Sequence, residues 1–184
     1  MVCLAGCQAA PPPPVYAEVS FAGKGVIRFN VAAVEVISSY ISPGKPPNIE
    51  HEFPYSPQEL MWQWAEDRLK AVSGRGSARM TIRNAAVRKQ DLKTGTGLRD
   101  LFTRNQSERY IAGLEAVIVV YDGSRSGSVV IKVTRERTFP EGMTMNEQDK
   151  ARYDFLNRMM EDFDSEAGRA ISRELGGFLA PDNV

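Results

Sequence analysis

Residues 112–139 read AGLEAVIVVYDGSRSGSVVIKVTRERTF, and how this stretch folds decides the architecture. Leu114, Ala116, Ile118 and Val120 alternate with Val117 and Val119, so residues 112–121 are apolar on both faces. That pattern predicts a central strand covered on two sides. Residues 122–128 are rich in Gly and Ser and turn the chain. Residues 129–139 return with Val129, Ile131 and Val133 inward and Lys132, Thr134 and Glu136 outward. The two runs together predict a hairpin.

Upstream of the hairpin, residues 78–90 alternate as a further strand, with Met80 and Ile82 opposite Arg79, Thr81 and Arg83. Before it, Ser56-Pro57-Gln58-Glu59 has the spacing of a capping box with Pro at the first helical position. Tyr55 and Leu60 are placed as a hydrophobic staple. The helix is expected to run to about Val72, with Met61, Trp64, Ala65, Leu69 and Val72 on one face, and to stop at Gly74. Residues 40–54 carry five Pro or Gly breakers and read as loop. Residues 25–38 read as one long strand whose apolar face switches near Ala32 and Ala33, which suggests a bulge. Downstream, Thr144-Met145-Asn146-Glu147 is a second capping box. It opens a helix to about Leu179 with a stripe at Tyr153, Leu156, Met160, Phe163, Ala167, Ala170 and Leu175.

The order β-α-β-β-β-α predicts an α+β two-layer sandwich, a mostly antiparallel sheet with helices on one face. Residues 24–180 are expected to form a single domain. Residues 1–23 form an N-terminal tether and residues 181–184 a tail. Hydrophobic residues at 42% and charged ones at 25% fit a globular chain able to build a core without disulfides or metals. The body from residue 8 onward has no Cys, so disulfides and Cys-ligated metals are excluded from it. No cofactor is expected.

The 23 basic and 23 acidic side chains cancel, so no global field points to nucleic acid. From Arg75 to Arg109, however, nine bases face three acids, a net of +6, and from Glu141 to Glu174 nine acids face five bases, a net of −4. Two solvated faces of opposite sign that pair loosely account for this. The alternative is an anion-attracting face on the strand that carries Arg79, Arg83, Arg88 and Lys89.

The chemistry-bearing motifs are few. His51, the only histidine, lies between Glu50 and Glu52, but adjacent residues of an extended chain point to alternate sides and make a poor metal set. The segment from Lys93 to Leu98 has glycines at phosphate-loop spacing without the Gly-Lys-Ser/Thr ending. Arg104, Arg109 and Tyr110 raise the prospect of Arg and aromatic stacking on RNA or phosphate. Trp62 and Trp64 are two apart on a helix and cannot share a face. Trp64 is assigned to the core, and Trp62 to the surface beside Gln63 and Glu66, as a contact residue or merely a partly covered neighbour. No acid, base and nucleophile converge, so no enzyme is expected.

Leu4-Ala5-Gly6-Cys7, followed by Gln8-Ala9-Ala10 and four consecutive prolines, resembles the lipobox of bacterial lipoproteins. In that family a peptidase cuts before the Cys, which then carries thioether-linked and amide-linked acyl chains. Small residues fit the protease subsites, and the thiol accepts the diacylglyceryl group. The Pro run is a semi-rigid spacer suited to holding a domain off a bilayer. Only six residues precede Cys7, none of them basic, where an export signal needs a basic and then an apolar region. The resemblance implies an N-terminal membrane anchor at Cys7. With Gln8 rather than Asp after the Cys, it implies an outer-membrane address facing the periplasm, away from nucleic acid. The order of the body is similar to the sandwich domains of periplasmic auxiliary lipoproteins. Examples are the lipopolysaccharide-assembly lipoprotein and those that accompany ABC-type lipid transporters. The resemblance implies a non-catalytic scaffold that binds an envelope protein or a lipid. Its contact surface would be the sheet face opposite the helices.

Overall fold

A computed structural model describes residues 16–17, 19–72, 74–92, 107–140 and 142–181. Cys7 and the proline run lie outside the described residues, as do Lys93, Arg99 and Arg104. The fold is α+β, with helices on one face of a mostly antiparallel sheet. Strands β1 (Ile27–Phe29), β2 (Ala33–Ser38), β3 (Leu69–Ala71), β4 (Ser77–Leu92), β5 (Ser107–Tyr121) and β6 (Ser126–Pro140) accompany helices α1 (Pro57–Arg68) and α2 (Met145–Leu175). The main sheet has the order β2-β4-β5-β6, with β2 parallel to β4 and the other pairs antiparallel. A small parallel pair, β1-β3, stands apart from it.

The hairpin is present and longer than its sequence signal, because β5 begins at Ser107. Both capping boxes form: Ser56 with Glu59, and Thr144 with Glu147. They satisfy N–H groups that the first helical turn leaves without partners. The Glu147 carboxyl is held below its ordinary value by the backbone N–H and then the hydroxyl of Thr144. Gly76 takes φ +75°, and a Cβ there would lie 1.8 Å from the Tyr121 carbonyl oxygen, so only glycine lets β4 begin this close to the end of β5.

The core lies between the helices and the inner sheet face. Met80, Ile82, Ile118 and Ile131 from the sheet meet Trp64, Phe155, Met159 and Phe163 from the helices, all essentially without exposure. Trp64 and Phe163 pack edge to face at 5.0 Å. Each large side chain buried here contributes about 1.5–3 kcal/mol. The stripe on α2 is broader than its sequence pattern, because Ala151, Phe155, Met159 and Ile171 are buried as well.

Three expectations are corrected. The chain over 25–38 is two strands broken at Asn30–Ala32, and they serve different sheets: β1 pairs with β3, β2 with β4. Helix α1 stops at Arg68, and Leu69 turns to φ −96°, ψ 122° so that β3 can pair with β1. Val72 is therefore half-exposed rather than on the buried helical face. Finally, β5 is covered throughout on one side only, and on the other Val117 alone is buried. Leu114, Ala116, Ile118 and Val120 are buried, whereas Val119 is 45% exposed.

Candidate interaction face

The outer face of the sheet is set by a bulge in β4. The register with β5 shifts between Ile82 and Asn84, which leaves Arg83 as the extra residue. Before the bulge the odd residues Ser77, Arg79 and Thr81 face outward, and after it the even residues Asn84, Ala86 and Arg88 do. Arg79 and Arg88 thus share the outer face and Arg83 is exposed between them. Lys89 does not join them. It stands opposite Tyr110, whose ring is buried on the helix side, so period two sends Lys89 to the inner side.

Two zones make up the outer face. Toward the Tyr121 end it exposes Val119 and Tyr121 of β5 and Val130 of the adjacent β6 around the buried Val117, while Ile37 of β2 is set apart from them by Thr81 of β4. Val130 is 54% exposed. Charged pairs flank this strip: Arg79 donates to Glu35 at 2.7 Å, and Lys132 lies 3.7 Å from Glu115. Toward the other end is a shallow depression of about 160 Å³ lined by Asn84, Arg88, Ile111, Gly113 and Thr134. Gly113 makes room for the Asn84 amide, which would sit 3.0 Å from a Cβ at that position. Arg83 and Arg88 have no side-chain ion pair among the described residues. Trp62 lies elsewhere, on α1, 38% exposed, with its indole N–H donated to Glu66 at 3.1 Å.

Where the described bases of the basic segment are paired, the partner is within the sheet rather than on the acidic helix. The segment's described ion pairs are Arg79–Glu35, Lys89–Glu108 and Arg109–Glu136. The hydrogen bond to Glu108 raises the Lys89 ammonium above its ordinary value. Tyr110, also expected as a stacking residue, is buried, and burial raises its phenol. The phenol donates to Glu108 at 3.1 Å, and Arg152 of α2 donates to Tyr110 Oη at 3.3 Å and to Glu52 at 2.6 Å. This cluster lines a cavity of about 60 Å³, the scale of a few waters.

Two further buried polar clusters escaped the sequence. Asp164 accepts from Trp64 Nε1 at 2.8 Å and from Arg68 Nε at 2.9 Å, joining α1 to α2. Arg68 also donates to the carbonyls of Lys24 and Gly25. Glu50 accepts from Tyr40 at 2.6 Å, Asn48 at 2.7 Å, Ser42 at 3.0 Å and the Val87 backbone at 3.0 Å. Burial pushes the Glu50 carboxyl up, but these donors outweigh it and hold the group below its ordinary value. Glu52 turns to Arg152 instead, and His51 between them is exposed, so these three residues do not converge. Trp64 and Asp164, like Glu52 and Arg152, stand a hundred residues apart, so no local spacing could have signalled those pairs, whereas Tyr40, Ser42 and Asn48 lie within ten residues of Glu50 in a segment read only as loop.

Among the described residues no group of three His, Cys, Asp or Glu is arranged to hold a metal, and no helix is long and apolar enough to cross a membrane. Apart from Tyr16 Oη and Arg152 Nε, the buried side-chain polar atoms among the described residues have partners, whereas the outer face offers apolar area and unmatched guanidiniums. The arrangement is suited to binding a surface.

No family model and no characterised protein matches the chain in sequence. Among solved structures it has a weak likeness to the rare lipoprotein B of Shewanella oneidensis, with a TM-score of 0.37 and 10% identity over 72% of this chain and 94% of that one. That likeness is too distant to bear on chemistry.

Proposed function

We propose that the chain is a non-catalytic, lipid-anchored scaffold or adaptor of the bacterial outer membrane, acylated at Cys7, whose body faces the periplasm and holds a protein partner on its outer sheet face. The observation that carries the binding half is the open apolar strip of Val119, Tyr121 and Val130 on a sheet whose other face packs against the helices. Side chains of that kind on an open face favour docking of a surface over enclosure of a small molecule. The anchoring half rests on the Leu4–Cys7 motif and the proline spacer. Several acyl chains, at about 0.8 kcal/mol per buried methylene, give lasting attachment where a single chain does not.

The test is the intact mass of protein expressed in a Gram-negative host from the full upstream reading frame. A chain beginning at Cys7 with added acyl mass, recovered with outer membranes, is expected. Retention of residues before Cys7 without lipid overturns the anchor.

One observation favours a second reading, a soluble anion-binding domain. Arg83 and Arg88 are unmatched beside the depression at Gly113. Titration with inorganic phosphate, followed by amide shifts around Gly113, discriminates the two readings. Saturable shifts that vanish in Arg83→Gln/Arg88→Gln support the anion site, and their absence leaves the scaffold reading in place.

A further inference from the structure

Strand β6 is fifteen residues long and forms one margin of the main sheet, and among the described residues no strand pairs with its outward side. An edge of this length is a template for another strand. Its outward-facing side chains include Val130, Lys132, Thr134, Glu136 and Thr138, and its inward-facing ones Val129, Ile131, Val133, Arg135, Arg137 and Phe139.

The sequence of β6 is complementary to itself in one antiparallel register. A two-fold axis normal to the sheet at Thr134 pairs each residue with the one equally far on the other side of 134 in the second copy, and both then lie on the same face. Lys132 meets Glu136 of the second copy, and Glu136 meets its Lys132. On the inner face Arg135 meets Val133 and Arg137 meets Ile131, so no like charges stand opposite each other. Arg135 is already paired with Asp162 of its own α2. Moving the axis to Lys132, Arg135 or Glu136 sets that charge against itself, and moving it to Val133 sets Glu136 opposite Val130 with no partner. Opposite charges directly across an antiparallel pair stabilise it, and like charges oppose it.

We infer that the chain forms a two-fold dimer through β6 in this register, making one continuous eight-stranded sheet with both outer faces on the same side. Lys132 and Glu136 are 68% and 63% exposed at their side chains, so each is available to the second copy.

The test is the mass of the full chain in solution, by light scattering and sedimentation over a concentration series. A concentration-dependent dimer is expected. Lys132→Glu and Glu136→Lys, each alone, should weaken it about tenfold by placing two like-charge pairs across the axis. The double reversal should restore it to within about threefold. The pairs with Glu115 and Arg109 inside the chain are not restored by the double reversal, so rescue reports only the contact between copies. A spin label at Thr134→Cys, in a chain with Cys3→Ser and Cys7→Ser, gives a readout independent of charge. A label beside the axis meets its own copy at short range and its spectrum broadens, whereas a label at Ser126 does not. A mass of one chain at every concentration overturns the inference. A dimer indifferent to the charge reversals, or an unbroadened label at 134, overturns it as well.

Discussion

Ile118 and Val119 are neighbours in the chain and opposites in environment. The first is fully enclosed by side chains of α1, α2 and adjoining strands, while the second is 45% exposed on the far side of the same strand. The contrast extends across the sheet. The inner face is aliphatic and aromatic throughout its covered span, and most of the polar groups beside it are closed in hydrogen-bonded clusters. The outer face also carries valines at its Tyr121 end but leaves Val119 and Val130 to solvent. Apolar character alone therefore did not decide coverage here. Only the inner face has helices whose own stripes need a partner, and their apolar surface and that of the sheet are buried together.

The comparison breaks most completely at Asp164. Asp164→Ala leaves the Arg68 guanidinium and the Trp64 indole N–H buried without their acceptor, and a loss of about 3–5 kcal/mol is expected, read from denaturant midpoints. Ile118→Ala opens a cavity on the inner face and should cost about 2–5 kcal/mol by the same measurement. Glu50 sharpens the contrast through pH. Its carboxyl lies below the ordinary value of 4.5 in the folded chain, so its contribution is complete above that value and is lost as pH falls through the lower folded value. Glu50→Gln should flatten this acid limb and cost roughly 1–3 kcal/mol at neutral pH, where the buried donors lose a charged acceptor. Val119→Ala should change stability by less than about 0.5 kcal/mol. In the proposed scaffold the same change should weaken partner binding. A stability loss at Val119 as large as that at Ile118 would show that something covers the outer face.

What was legible in the sequence was whatever has a short period. The alternation of residues 129–139 and the two capping boxes identified a hairpin and two helix starts, because their causes lie within a few residues. What was not legible depends on distant partners. Nothing within residues 25–38 tells that Ile27 will pair with Leu69 while Val36 pairs with Met80. The end of α1 at Arg68 is decided by β1 and by Asp164, not by Gly74. The basic face was half legible: Arg79 and Arg88 share it, but strict alternation through the bulge at Arg83 could not be followed, and Lys89 falls on the other side. For the apolar run in β5, the composition of both faces was visible, yet only packing against α2 distinguishes a covered face from an open one.

Strand β1 bears on the order in which the molecule can be completed. Phe29, fully buried, pairs with Ala71 and also bridges to Leu179, while Asn30 N–H donates to the Phe178 carbonyl and Ala180 N–H to that of Arg28, both at 2.8 Å. A chain emerging N-terminus first presents this strand early and its last partner some 150 residues later. That edge of β1 stays open until synthesis is nearly finished, and a nascent chain stalled anywhere before residue 178 can pair β1 with β3 but lacks the residues that close its other side.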